Sequence, residues 1–191
     1  MTDVEDMFRK SGALLEGHFV LHSGMHSPVY WEKIRVLQYP QYVTTLCGMI
    51  ADYFRSVPID LVAGPTTGGI ILAYEVARQL GKRAVYAEAA TAAEGGHKVF
   101  RRGADLQPGE RILVVDDVMT AGGSVSDVIA AVKDRRAQLV GVGVLVDRSD
   151  KTPDFGVPLF SCHRTTAVTY APATCPLCRA GVPLAKPGGV R

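Results

Sequence analysis

Arg111 to Asp127 reads RILVVDDVMTAGGSVSD, and the rest of the chain is arranged around it. Ile112 to Val115 form a continuous apolar run, as expected of a strand buried on both faces of a parallel sheet. Asp116 and Asp117 follow at its C-terminal end. Thr120, Ala121, Gly122, Gly123 and Ser124 make a small-residue turn, after which Val125, Val128, Ile129 and Val132 mark one face of a helix. The segment is strand, acidic step, glycine loop, helix. A glycine turn at a helix start lets backbone N–H groups converge without Cβ interference, and the helix dipole adds partial positive charge there. A phosphate monoester suits such a nest. The adjacent carboxylates accept hydrogen bonds from ribose hydroxyls or face a hard cation such as Mg²⁺, so the expected ligand is a sugar phosphate. No GxxxxGK[ST] is present, and no GxGxxG follows a strand, which excludes the two common nucleotide loops. The plain alternative is a helix cap with turning glycines, and packing alone accounts poorly for two acids in that position.

The run VVDDVMTAGGS resembles the phosphoribosyl pyrophosphate (PRPP) signature of type I phosphoribosyltransferases. The resemblance implies that Asp116 and Asp117 hold the ribose hydroxyls and that Thr120 to Ser124 hold the 5-phosphate. A Mg²⁺ ion held mainly by PRPP near the two acids is the implied cofactor.

Length and composition bound the reading. A chain of 191 residues, 47% hydrophobic and 21% charged, is expected to fold as one domain with a substantial core. The formal net charge of +2 gives no argument for a nucleic-acid or membrane surface. The acidic start MTDVEDMFRK is unlike a signal peptide, and no apolar run reaches membrane-spanning length, so a soluble cytoplasmic protein is expected.

Four cysteines occur, at 47, 162, 175 and 178. Cys47 lies in an apolar helical pattern and reads as core. The CPLC run has zinc-ligand spacing but needs a second pair, and Cys162 with His163 would complete a candidate set with Cys175 and Cys178. A plain loop or a disulfide is the alternative.

From the N-terminus, residues 3 to 16 read as a short helix ending near Gly12 or Gly17, followed by an extended segment from His18. GHFVLHSGMHSPVYWEK then suggests a strand, a turn at Ser23-Gly24, and a second strand at Val29 to Trp31. This stretch is similar to the base-covering element of orotate phosphoribosyltransferases, through Phe19, Leu21, Ser23, Gly24, Ser27, Pro28, Tyr30 and Trp31. Many members have Lys where His22 stands, which makes that cation titratable here. Pro40 opens a helix to about Arg55, with Val43, Leu46, Cys47, Ile50 and Phe54 inward. Asp60 to Ala63, the loop to Gly69, and Ile70 to Leu80 with Gly81 repeat the strand-loop-helix unit. By resemblance Thr66, Thr67, Gly68 and Gly69 bind pyrophosphate, although Gly68 replaces a Lys found in many orotate enzymes. Ala84 to Ala87 is another strand. Glu88 to Lys98 reads as an irregular connection, by position the family's mobile loop over the active site. Leu139 to Val146 is the last long apolar strand, and Arg148 just beyond it resembles the arginine that pairs with the orotate carboxylate. A solvated strand-end arginine is the alternative there. Val157 to Cys162 reads as an edge strand, and Ala180 to Arg191 as an exposed tail.

The expectation is an α/β protein of the type I phosphoribosyltransferase fold, a doubly wound, mainly parallel sheet with its ligand outside the strand C-termini. It comprises a hood over about 1–38, the main domain, and an irregular extension over about 150–191. Over roughly residues 10 to 150 the resemblance implies transfer of phosphoribose from PRPP to orotate, by a homodimer. Orotate contacts would be His22, Ser23, Tyr30, Trp31, Thr120 and Arg148. Two rival readings are a transferase for another base and a PRPP-binding regulator without catalysis. The loop segment EAATAAE, Glu88 to Glu94, lacks the cations usual in the family. His97 and Lys98 are the residues expected to supply that catalytic charge, with Asp116 and Asp117.

Overall fold

The computed structural model describes residues 3–21, 23–91, 96–101, 103–166 and 168–187. The chain divides into two compact units, one of residues 40–165 and one combining 1–39 with 166–191.

The larger unit is a six-stranded sheet: β3 (Leu61–Pro65), β4 (Arg83–Ala89), β5 (Lys98–Phe100), β6 (Arg111–Met119), β7 (Gln138–Asp147) and β8 (Leu159–Arg164), in the spatial order β5-β4-β3-β6-β7-β8. All neighbouring pairs run parallel except β4 with β5. The apolar run of the central segment lies fully buried in the middle of this sheet, as its lack of alternation requires. Successive strand residues face opposite sides. Ile112 and Val114 pack with Val128, Ile129 and Val132 of helix α5 (Gly123–Asp134). On the sheet's other side lie α3 (Pro40–Tyr53) and α4 (Gly68–Leu80). Val43, Leu46, Cys47 and Ile50 of α3 are buried as their spacing predicts. α4 ends at Gly81, whose φ of 66° gives the left-handed turn that terminates a helix.

Elements of the larger unit also depart from the sequence reading. The segment before Phe100 is an edge strand, with Ala89 opposite Lys98. Strand structure therefore takes in both ends of the connection read as irregular over Glu88 to Lys98, since β4 runs to Ala89 and β5 starts at Lys98. β3 begins one residue late because Asp60 is engaged: Arg111 Nε and Nη2 donate to its two carboxylate oxygens at 2.8 and 2.7 Å. That fork holds Asp60 well below the usual carboxylate range.

The smaller unit starts with α1 (Val4–Lys10), capped by Asp3, whose Oδ1 accepts from Asp6 N at 3.1 Å. A hairpin of β1 (Leu14–Val20) and β2 (His26–Trp31) follows, then α2 (Lys33–Leu37). β1 starts four residues before His18, since α1 stops at Lys10, ahead of the expected end. The C-terminal segment joins this hairpin. Ala185 exchanges backbone hydrogen bonds with His18 and Val20, and Tyr170 with His26. Residues 180–186 are exposed, as expected of the tail, yet they are anchored by these bonds.

Candidate active site

In the larger unit the expected PRPP residues gather at the C-terminal edge of the parallel strands. β6 runs on through Asp116 and Asp117, 5% and 1% exposed, as far as Met119, so the acids lie within its last four residues and not beyond its end as the sequence reading had them. Asp117 N donates to Asp116 Oδ1 at 2.8 Å and Val118 N to Asp117 Oδ1 at 2.6 Å. These bonds fix both carboxylates against the strand end. Two adjacent anionic oxygen donors fit a hard cation or a pair of ribose hydroxyls. Residues 120 to 122 lead straight into α5. Gly122 takes φ 78°, a left-handed conformation that would strain a residue bearing Cβ, and Pro153 and Phe155 close over it. The first N–H groups of α5 therefore point out of the helix at this edge, as an anion nest needs.

The second loop is drawn tight. Thr66 N donates to Ala87 O at 2.9 Å and Ile70 N to Thr67 O at 3.2 Å, and the Thr66–Thr67 peptide is cis. A Cβ on Gly64 would lie 2.2 Å from Gly69 O, and one on Gly69 would lie 2.4 Å from Pro65 Cδ. Strand end and helix start thus touch through bare backbone. Because the obstruction to Gly64 is main chain, Gly64→Ala is expected to cost about 3 kcal/mol, the upper end for overpacking. The melting temperature should fall by roughly 6 to 12 °C, and PRPP affinity with it; a wild-type melt would contradict the close contact.

Arg148 follows β7, 9% exposed, and its N–H donates to Met119 O at 2.8 Å. This bond sets Arg148 beside the start of the 120–124 loop. Its turn is shaped by the acid before it. Asp147, 2% exposed, accepts from Ser149 N at 2.9 Å and Ser149 Oγ at 2.6 Å. The D-R-S order, with a hydroxyl two residues after an acid, is a turn signal that could have been noticed.

Other expected residues are placed differently. His97 Nε2 lies 2.7 Å from Asp134 Oδ2, at the C-terminal end of α5, while the phosphate loop is at the helix's N-terminal end. Twelve helical residues span about 18 Å, so His97 as placed does not reach that loop. Lys98 opens β5 opposite Ala89, just past the C-terminal edge where β4 ends. In the smaller unit Ser23 is exposed in the hairpin turn, and Tyr30 is partly buried with its ring 5.8 Å from that of Phe19. Trp31 is 7% exposed, packed edge-on against Phe8 with centroids 4.9 Å apart. Its ring packs into that unit's core. His22 lies outside the described residues.

The zinc set is also corrected. Cys162 Sγ contacts Leu46 O at 3.3 Å, and burial pushes its thiol up to about 12, so it is no ready thiolate ligand. The metal-competent group among the described residues is His18, His26, Cys175 and Cys178, without Cys162 or His163.

Two acids near the end of β6, a glycine turn at a helix start and a second bare-backbone loop thus stand on one edge of a parallel sheet, the arrangement expected of a phosphoribosyltransferase. Residues 35–161 match the family model described as the phosphoribosyl transferase domain. An orotate phosphoribosyltransferase of Desulforamulus reducens is 47% identical over 186 residues, 97% of this chain and 95% of the relative. One from Caldanaerobacter subterraneus subsp. tengcongensis is 46% identical over 185 residues, covering 97% and 95%. The crystal structure of orotate phosphoribosyltransferase from Aeropyrum pernix superposes with a TM-score of 0.74 at 27% identity, over 85% of this chain and 93% of that one. The chain belongs to the orotate phosphoribosyltransferase family.

Proposed function

We propose that this protein transfers the 5-phosphoribosyl group of PRPP to orotate, yielding orotidine 5′-monophosphate and pyrophosphate in pyrimidine synthesis. The observation that carries the reading is the shared strand edge on which Asp116, Asp117, the 120–124 loop and Arg148 stand, with Arg148 N bonded to Met119 O at 2.8 Å. Asp116 and Asp117 accept from the ribose hydroxyls, the backbone of 120–124 holds the 5-phosphate, and Thr66 to Gly69 receive pyrophosphate. The bond from C1′ to the pyrophosphate oxygen breaks with cationic character at C1′, and the bond from C1′ to the base nitrogen forms as that nitrogen gives up its proton to solvent. The chain's contribution is to align the two partners and to meet the leaving charge with fixed donors. Mg²⁺, carried on PRPP near Asp116 and Asp117, would neutralise phosphate charge.

Arg148 sets the choice of base by binding the orotate carboxylate bidentately, a fork that Lys cannot reproduce. Ser23, Tyr30 and Thr120 enter as further base contacts on the family resemblance. Arg148→Lys is expected to lower kcat/KM for orotate about tenfold, the equivalent of losing about 1.4 kcal/mol, while PRPP affinity stays unchanged. An Arg148→Lys enzyme with wild-type orotate kinetics would remove the residue from the site and favour a different base.

Homodimerisation and a cytoplasmic location belong to the same proposal. No helix among the described residues is long and apolar enough to cross a membrane. Ile71 and Tyr74, one turn apart on α4, are 42% and 66% exposed, an apolar surface that supports association. Sedimentation should give a dimer at micromolar concentration; a monomer alone would contradict this part.

A further inference from the structure

The smaller unit holds a side-chain group that the transferase reaction does not use. His18 and His26, 3% and 6% exposed, face each other across the hairpin, and Cys175 and Cys178 of the C-terminal segment close on them. Cys175 Sγ lies 3.5 Å from His18 Nε2, and Cys178 Sγ lies 3.7 Å from the same atom and 3.3 Å from His26 Nδ1. All four ligand atoms are within 4.8 Å of one another. With Zn–N near 2.0–2.1 Å and Zn–S near 2.3 Å, a tetrahedral site has ligand-to-ligand edges of about 3.3 to 3.8 Å. The three nitrogen–sulfur contacts fall in that interval. The two imidazole nitrogens are closer, at 2.9 Å, and must part by about 0.4 Å to admit an ion.

Three features make this more than a chance meeting of polar groups. His18 Nδ1 is 2.8 Å from Val182 O, so that nitrogen carries the proton and Nε2 is left with a bare lone pair, aimed into the group. None of the four cysteines is in a disulfide. The third feature is mechanical. Among the described residues of the C-terminal segment the elements are short, a 3₁₀ turn at Pro172–Thr174 and a four-residue helix α6 (Pro176–Arg179), with bridges to the hairpin at Ala185 and Tyr170. A unit so small, assembled from two distant parts of the chain, has little core to hold them together and is the kind of fold that metals staple.

We propose that His18, His26, Cys175 and Cys178 bind one Zn²⁺ as a closed structural site that clamps the C-terminal segment onto the hairpin. Two nitrogens and two sulfurs in a tetrahedron select zinc among biological divalent ions. Four protein ligands leave no open position, so the ion is structural. His18 and His26 flank the turn that carries Ser23, and the ion therefore pins both strands at the root of that turn. None of the four ligands is among the residues assigned to PRPP, and the metal content can be read without any assay of transfer.

The test is elemental analysis of the purified full-length protein after dialysis against metal-free buffer, with cobalt titration of the chelator-treated protein. One zinc per chain is expected, and Co²⁺ should give tetrahedral d–d bands with a thiolate charge-transfer band. Cys178→Ser, at an exposed position where folding is least at risk, should lose zinc affinity by at least about a hundredfold. Cys162→Ser should keep its full zinc. A folded wild type without zinc or cobalt bands, a Cys175–Cys178 disulfide in the metal-free protein, or a Cys178→Ser variant with wild-type zinc would each overturn the proposal.

Discussion

Asp116→Asn combined with Asp117→Asn is expected to weaken PRPP binding by roughly two orders of magnitude. Each carboxylate offers a charge-assisted acceptor to a ribose hydroxyl, and such bonds contribute about 1.5 to 3 kcal/mol each. Asn retains a neutral oxygen acceptor, so the loss falls near the lower bound, close to 3 kcal/mol for the pair, or about a hundredfold. The same oxygen can still receive Asp117 N and Val118 N, the donors that position these side chains, so the strand end should survive the change. Titration calorimetry with PRPP and Mg²⁺ on a double variant of unchanged melting temperature decides the matter. Unaltered affinity would take the acids out of the ribose site.

Lys98→Ala is expected to lower kcat at least thirtyfold with little change in PRPP affinity. Pyrophosphate departs with several negative charges, and removing one preorganised donor from such a site typically costs on the order of 10² to 10³ in rate. In the segment before Lys98 the sequence offers no cation between Glu88 and Glu94. Lys98 stands where β5 turns away from the end of β4, and Gly96, at φ 81°, supplies a pivot two residues before it. The contact that restrains this turn is the pair of His97 with Asp134, whose carboxylate is 62% exposed. An exposed pair of that kind is worth about 0 to 1 kcal/mol, so it holds His97 only weakly. A change confined to kcat would mark a contact formed mainly in the transition state. A Lys98→Ala enzyme as fast as the parent would show that this loop takes no part in catalysis.

The parallel core was legible because burial on both faces writes an unbroken apolar run, as in Ile112 to Val115, and because each loop announces itself with small residues at a strand end. Both phosphate-type loops and Arg148 could be placed from that logic together with the family motif. The smaller unit was not legible in the same way. Its C-terminal segment is tied to β1 and β2 by isolated bridges at Ala185 and Tyr170, and such pairing leaves no period in the sequence. Trp31 alternates like a surface aromatic on a hairpin, but its partner Phe8 lies on a helix 23 residues away, and no local pattern encodes that contact. The zinc set was sought near CPLC in sequence, at Cys162 and His163. The missed signal was His18 and His26 on either side of the Ser23-Gly24 turn: His26 pairs with Val20, and His18, two residues before Val20, shares its face of the hairpin. Gly64 and Gly69 were read as loop formers only. Their close approach, which leaves no room for a Cβ on either, is visible in three dimensions alone.

The most direct test of the central claim is to incubate the protein with PRPP, Mg²⁺ and, separately, orotate, uracil, adenine and hypoxanthine, and to follow nucleotide and pyrophosphate together. Orotate should be converted to orotidine 5′-monophosphate with one pyrophosphate released per nucleotide formed, and the other bases should be left unchanged. Conversion of a neutral base with orotate untouched would contradict the account.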